Sequence, residues 1–411
     1  MMLAGGARAP GRGARHREIE RMLDERTEAN ARFFAAEAER LARLCHTMAE
    51  RFARSGRLVA VGSTPAGRSD ARHVAVEFVH PVIVGKRALP AIGLTGGGGT
   101  PAEEVDLLAE AGDIVIAFDA DRDGGQAARA IELARRRGCL TIAFTAAGAE
   151  HEFAPPAAAV EVRQELVETL YHVLWELVHV FFDQRGLLAE RDSRPVHDAG
   201  AARFLYPFLG EQETQLEPVV DDVRRSVLMK SQEIGALRAQ TLLENSDALA
   251  AAAATLAASF ERGGKLLALG NGGSATDAMD VVADLRFPPA ARRSRPALDL
   301  SEDSAILTAI ANDIGTEAIF SRQVIAYGRP GDTLLALSTS GDSANVIAAL
   351  AEARRRGLET IAMVGYDGGR VAAQSLADHV IVTRSEHIPR IQEAQASAYH
   401  SLLELIELVA I

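Results

Sequence analysis

The chain is short of the residues that mark several classes of protein. Of its 411 residues only two are cysteine, Cys45 and Cys139, and they lie far apart in sequence. That excludes a disulfide framework and a cysteine metal site, and it fits a reducing compartment. A surplus of positive charge is missing too. Lys and Arg number 44 against 56 Asp and Glu, a formal net charge of −12. Nucleic acid is met by basic surfaces, so this balance argues against it as a partner. The basic run Arg135, Arg136 and Arg137 lies in a helical pattern and is expected to be a solvated face. No uninterrupted apolar run reaches the roughly 20 residues that a membrane helix needs. Residues 1–16 are rich in Gly and Arg and lack an apolar core, so they are expected to be a disordered tail and not a signal peptide. The expectation is a cytoplasmic protein long enough for two domains.

One stretch organises the rest, residues 266–285, LLALGNGGSATDAMDVVADL. Its first four residues form a short apolar run of the kind a buried strand shows. Gly270, Asn271, Gly272, Gly273 and Ser274 break the run, and from Thr276 the pattern is helical, with Ala278, Val281, Val282 and Leu285 on one face. A glycine-rich turn between strand and helix presents backbone N–H groups and a hydroxyl at a helix N-terminus, which suits a phosphate. A second such turn follows the apolar run at 332–337. It reads Ser338, Thr339, Ser340, Gly341, Asp342, Ser343, with a helix expected from 344 to 356. Hydroxyls in this number are poor core material and good phosphate ligands.

The chain also repeats itself. GDIVIAF at Gly112 matches GDTLLAL at Gly331, an offset of 219, and ARRRG at Ala134 matches ARRRG at Ala353 with the same offset. Asp70 and Ala71 match Asp277 and Ala278 at an offset of 207, and Gln164 and His172 match Gln392 and His400 at 228. Offsets constant within blocks and stepping between them indicate a duplication with loop insertions. Each half is therefore expected to be an α/β domain, a parallel sheet flanked by helices in the doubly wound, flavodoxin-like style. The expected division is a tail at 1–16, a first domain at 17–182, a linker at 183–215 with a short ordered piece at 204–209, and a second domain at 216–411.

The order GNGGS, DAM, Asn312-Asp313, STSGDSANVI and the terminal RIQE segment resembles the sugar isomerase (SIS) domain family, nearest to its phosphoheptose isomerases. The resemblance is close over 216–411 and fainter over 17–182. It implies two tandem SIS domains and an aldose–ketose isomerase acting on a sugar 7-phosphate, with D-sedoheptulose 7-phosphate the expected substrate. A non-catalytic sugar-phosphate sensor or assembly factor is the alternative. By resemblance, Asn271, Gly272, Gly273, Ser274, Ser338, Thr339, Ser340 and Ser343 bind phosphate and sugar. Asn312, Asp313 and Gln392 orient the sugar, and Asp284 and His400 form the acid–base pair. Family members assemble as homotetramers, so a tandem chain is expected to be a homodimer that mimics one.

The two halves depart from the family in opposite ways. The phosphoheptose isomerases carry His and Glu where this chain has Asp280 and Asp284, and the Glu serves as acid–base group and metal ligand. Two carboxylates four apart on one helix face are, on the residues alone, most simply a solvated surface. The first half keeps the family's His and Glu as His73 and Glu77, and its Gln and His as Gln164 and His172. It has lost both phosphate turns: the first reads Gly62 to Gly67 with Pro65 inside it, the second is the acidic stretch 119–124, and Gly96 to Thr100 stands where Asn312 and Asp313 would be. A zinc ion is therefore expected at His73 and Glu77, with Gln164 and His172 as further ligands and Asp280 as a weak one, because imidazole plus carboxylate suits zinc.

Overall fold

The computed structural model describes residues 12–82, 86–97, 99–118, 125–157, 159–183, 187–188, 215–288 and 292–409. Outside them lie residues 1–11 of the expected tail, the 119–124 turn, and residues 189–214 of the expected linker, including the piece expected at 204–209. The chain forms two compact units, one of Ala29–Glu233 and one of Met1–Glu28 with Ile234–Ile411.

In the first unit, helix α1 (Arg12–Ala53) leads into β1 (Leu58–Val61), α2 (Pro65–Val79), β2 (Ala91–Leu94), α3 (Pro101–Leu108), β3 (Ile114–Ala117), α4 (Gln126–Arg136), β4 (Leu140–Ala143), β5 (His151–Glu152) and α5 (Val160–Asp183). The strands form one parallel sheet in the order β2-β1-β3-β4-β5. Side chains alternate across a strand, and the alternation sorts them into two cores. Leu58, Ala60, Ile114, Ile116, Leu140 and Ile142 face one core with α1, α2 and α5. Val59, Val61, Val115, Ala117 and Ala143 face the other with α3 and α4. A sheet buried on both faces needs continuous apolar strands, and VAV and IVIA are such runs.

The second unit repeats the plan. Helices α6 (Leu216–Glu244) and α7 (Ser246–Glu261) precede β6 (Leu266–Leu269), α8 (Gly273–Arg286), β7 (Ala297–Asp299), α9 (Ser304–Asp313), α10 (Ser321–Tyr327), β8 (Thr333–Ser338), α11 (Ala344–Arg355), β9 (Glu359–Gly365), α12 (Gly369–Ala373), β10 (His379–Thr383) and α13 (Ile388–Val409). Its parallel sheet runs β10-β9-β8-β6-β7, the same order as the first sheet read from the other edge. Both are tandem copies of one doubly wound α/β fold. Among the described residues, no helix is long and apolar enough to cross a membrane.

The unit boundaries fall inside α1 and α6, which differs from a division at 182 and 216. Ile19, Met22 and Leu23 pack with Leu249, Leu256, Leu402 and Ile406 in the second unit, and Arg26 donates to Glu404 Oε1 at 2.9 Å. Conversely, Val219, Val220, Val223 and Val227 pack with Trp175 and Leu174 in the first unit, where Lys230 pairs with Glu176. Each unit thus draws one helical segment from the far side of the expected boundary. Residues 12–16, expected within the tail, belong to α1. Arg135, Arg136 and Arg137 are exposed as expected.

Candidate functional site

In the second unit the chain leaves β6 toward β7 on one side and later returns to β8 on the other. The crevice between the carboxyl ends of β6 and β8 is therefore the topological switch point, where doubly wound sheets bind ligands. Both hydroxyl- and glycine-rich turns end there. Gly270 must be glycine, because a Cβ would stand 2.2 Å from the Ser274 carbonyl oxygen. Gly341 has φ of +66°, and a Cβ there would meet the Gly368 carbonyl oxygen at 2.2 Å. The turns are joined by two reciprocal amide bonds. Asn271 Nδ2 donates to Asn345 Oδ1 at 3.0 Å and Asn345 Nδ2 donates to Asn271 Oδ1 at 2.9 Å. Asn345 also accepts the Val346 N–H at 2.9 Å, so the clasp is anchored in the first turn of α11.

The hydroxyls are held within this frame. Ser338 Oγ accepts the Gly341 N–H and Ser340 Oγ accepts the Asp342 N–H, each at 3.2 Å. Arg370 fixes the tip of the loop, donating from Nη2 to the Asp342 carbonyl at 2.7 Å. Ser301 Oγ accepts the Gly270 N–H at 3.2 Å. Gly272 precedes α8 and Ser343 precedes α11, and neither makes a side-chain cap. The positive ends of two helix dipoles meet at one crevice, and neither N-cap residue's own side chain bonds to the helix it precedes, which favours an anion. Gly273 and Ser274 lie in the first turn of α8, earlier than the helix start expected at Thr276, and both are buried. Thr339, Ser340 and Ser343 are half-buried.

Asp280 and Asp284 project from the same helix. A solvated carboxylate face was the simplest reading of the residues, and the structure corrects it. Asp280 is 5% exposed because α13 covers that face, and Tyr399 Oη donates to its Oδ2 at 3.0 Å. Asp284 Oδ2 lies 3.5 Å from His400 Nε2, with the imidazole side chain fully buried and the carboxylate partly open. The structure thus sets these two groups side by side. Gln392 is buried two turns earlier on α13, about 12 Å from His400 along the axis, so it stands apart from that pair. Asn312 and Asp313 end α9 in exposed positions. Asn312 Nδ2 donates to Asp313 Oδ1 at 2.8 Å, and neither side chain bonds to the turns.

The first unit holds a different constellation. His73, Glu77 and His172 are each at most 2% exposed, and one ligand atom from each lies within 4.8 Å of the others. His73 Nε2 stands 3.4 Å from His172 Nε2 and 3.9 Å from Glu77 Oε1. Two nitrogens bound to a tetrahedral ion at 2.0–2.1 Å would stand about 3.4 Å apart, so the imidazole pair already has the spacing of a metal site. Burial, and secondarily the neighbouring His172, holds His73 well below the usual histidine range, which keeps it in the neutral form a metal requires. Glu168 places a carboxylate oxygen within 4.8 Å of His73. Gln164 is buried on α5, two turns before His172. Tyr171 packs edge-on to both imidazoles, with ring centroids 5.3 Å from His73 and 5.0 Å from His172.

Sequence reasoning missed Asn345, Ser301, Tyr399 and Glu168. Asn345 sits two residues after Ser343 and was visible as part of the second turn. The others are identifiable only through their partners in space.

A family model described as SIS domain matches residues 231–365. The phosphoheptose isomerase of Chlorobaculum parvum is 47% identical over 167 residues, which are 40% of this chain and 79% of that protein. The chain belongs to the SIS domain family. The phosphoheptose isomerase of Nitratidesulfovibrio vulgaris is 40% identical over 191 residues, 46% of this chain and 90% of the relative. The relatives thus match one half of the SIS tandem. A tagatose-6-phosphate ketose/aldose isomerase from Escherichia coli resembles nearly the whole chain in structure, with a TM-score of 0.55 at 14% identity, covering 98% of this chain and 95% of that one. At that identity the likeness shows the tandem SIS fold alone.

Proposed function

We propose that the chain is an aldose–ketose isomerase that interconverts D-sedoheptulose 7-phosphate and the corresponding aldose 7-phosphate in its second unit. The observation that carries this reading is the Asn271–Asn345 clasp, which holds two hydroxyl- and glycine-rich turns together at the switch point. Asn271, Gly272, Gly273, Ser274, Ser338, Thr339, Ser340 and Ser343 would cradle the phosphate and the near end of the sugar. Isomerisation moves a proton between C1 and C2 through an enediol and a second proton between the two oxygens. Asp284 would take the carbon-bound proton, and His400, at 3.5 Å from it, would serve the oxygens. Asn312, Asp313 and Gln392 would orient the sugar hydroxyls. The names of the relatives, phosphoheptose isomerases at 40–47% identity, support the substrate class.

His73, Glu77 and His172 would hold a zinc ion in the first unit, with Gln164 as a further ligand from α5. Such an ion, when bound, polarises a carbonyl or hydroxyl oxygen as a Lewis acid. The chain would assemble as a homodimer, four SIS domains in all, and work in the cytoplasm.

A second reading has one observation in its favour. Asp280 replaces the family imidazole and is tied to Tyr399, as a site that binds sugar phosphate without turning it over would tolerate. A coupled isomerisation assay over a panel of sugar phosphates separates the two. Turnover that peaks with the heptose phosphate supports the enzyme. Tight binding across the panel with no turnover supports the non-catalytic reading.

A further inference from the structure

The repeat sets four pairs of residues in correspondence: Asp280 with His73, Asp284 with Glu77, His400 with His172, and Tyr399 with Tyr171. The tyrosine is constant and the residue it faces is not. In the first unit Tyr171 lies edge-on to the buried imidazoles of His73 and His172. In the second unit the first imidazole has become a carboxylate. The tyrosine hydroxyl donates to Asp280 Oδ2 at 3.0 Å, while its ring still packs edge-on to the helix histidine, 4.5 Å between centroids at His400. Tyr399, Asp280 and His400 are 1%, 5% and 1% exposed, so this bond is made away from water, where breaking it is costly.

We propose that the second unit's site works without a metal: Tyr399 is a positioning residue that holds Asp280 as a fixed acceptor where the first unit has a metal-binding imidazole, leaving Asp284 and His400 as a bare acid–base pair. The donor chemistry carries this. A metal at Asp280 would compete for an oxygen already engaged by a buried phenol. Asp284 is one methylene shorter than Glu77, and it stands 3.5 Å from the His400 nitrogen that a metal would need. Two carboxylates and one imidazole suit zinc less well than the His–Glu–His set. Among the described residues, every grouping spaced to hold an ion contains His73, and none contains Asp280, Asp284 or His400.

The test uses the full chain. His73→Ala protein is loaded with excess zinc, desalted and analysed for metal, with native folding checked by its melting temperature. The expected result is no zinc above background. Zinc retained near one per chain, and lost when Asp280→Ala is added, overturns the proposal. In the same background, Asp280→His with Asp284→Glu and Tyr399→Phe is expected to gain zinc to about one per chain; a folded chain that gains none shows that these residues are not what keeps metal out, and overturns it too. Tyr399→Phe alone keeps the ring and removes the hydroxyl. It is expected to lower kcat about tenfold with KM unchanged, and to add no further loss in an Asp280→Ala chain. An unchanged kcat overturns the positioning role, as does a loss that simply adds to that of Asp280→Ala. Where Tyr399→Phe fails to fold, Asp280→Ala removes the same bond from its other end and is read in its place. The kinetic arm rests on the isomerase reading and the metal arm does not. A chain inert toward every sugar phosphate yet zinc-free in the His73→Ala background sinks that reading and leaves the metal-free site standing.

Discussion

The two units share a sheet order and a helix plan, yet they carry different residues at corresponding positions. The contrast is clearest at the turn after the first central strand. In the second unit it reads Gly270 to Ser274, and glycine caps α8 without a side chain. In the first unit Pro65 is the first residue of α2 and Thr64 Oγ1 accepts the Gly67 N–H at 3.1 Å. Proline removes one N–H from the helix start and threonine satisfies another, so little is left there for an anion. Elsewhere in the first unit, the backbone N–H groups of Ala147 and Ala149 donate to Glu152 Oε1 at 2.9 and 3.0 Å, and that of Gly148 donates to the same oxygen. Gly97 likewise donates to Glu104 Oε1 at 3.0 Å. At the turn after the first central strand, then, the first unit caps its helix with Thr64, whereas in the second the N-cap is Gly272, which has no side chain to do so. The imidazoles show the reverse bias, two of them paired in the first unit and one facing a carboxylate in the second. A duplicated scaffold can therefore keep its packing while the residues at its turns and helix faces diverge.

The largest effect that would break this comparison is a change in where the chemistry sits. Asp284→Ala is expected to lower kcat by about 10²–10⁴-fold, the usual cost of losing a general acid or base. Comparable turnover in Asp284→Ala and wild type, with Glu77→Ala inactive, would move the reaction to the first unit. Next in size is binding. Sugar phosphates should raise the melting temperature by mass action on the native state, and Ser340→Ala with Ser343→Ala should remove most of that shift. Ser63→Ala, in the first unit's sealed turn, should leave it intact. A shift lost only in Ser63→Ala would place the anion in the wrong half.

The parts legible in advance were those whose physics is local. Central strands buried on both faces must be apolar throughout, so LVAV, IVIA, LLAL and TLLAL announce themselves. The edge strands do not. Ala91–Leu94, His151–Glu152 and Ala297–Asp299 are four, two and three residues long, half-buried, and carry Gly93 or Asp299 in place of an apolar side chain. The turns and the His–Glu spacing were visible because both follow chain order. Partnership across the fold was not. Nothing in the periodicity of α1 says that Ile19 and Met22 belong to a different core from Phe33 and Phe34. Nothing in the i, i+4 spacing of Asp280 and Asp284 says that Tyr399 covers the first of them. Asn345 lay within the motif, but its reciprocal bond to Asn271 joins residues 74 positions apart.

A smaller effect sharpens the claim that the scaffolds are equivalent while the sites are not. A Cβ at Gly62 would stand 1.9 Å from the Gly67 carbonyl oxygen, and one at Gly270 would stand 2.2 Å from that of Ser274. Both are backbone atoms and cannot yield cheaply. Gly62→Ala and Gly270→Ala should each destabilise their unit by about 1–3 kcal/mol, read by denaturant unfolding, whatever either turn binds. A cost at Gly270 alone would mean that the first turn has relaxed along with its chemistry.

The smallest expected effect concerns acid. His73 is buried beside His172, and its ring resists protonation in the folded chain. In the unfolded chain the same imidazole takes up a proton near pH 6.5. Below that pH the unfolded state binds more protons than the folded one, so stability rises with pH and is lost as pH falls through and below about 6.5. One such group can contribute a slope of at most about 1.4 kcal/mol per pH unit. The second unit has a carboxylate, Asp280, in place of this imidazole. The share that His73 contributes should therefore belong to the first unit, beside that of His179, whose pKa burial lowers to about 4. It is measured as the unfolding free energy of chelator-treated protein across pH 7 to 5.5, for wild type and for His73→Gln. The variant should show the shallower fall. Zinc added back to wild type should steepen it, since protons and metal compete for the same nitrogens. If His73→Gln falls as steeply as wild type, the acid sensitivity lies elsewhere and this difference between the units disappears.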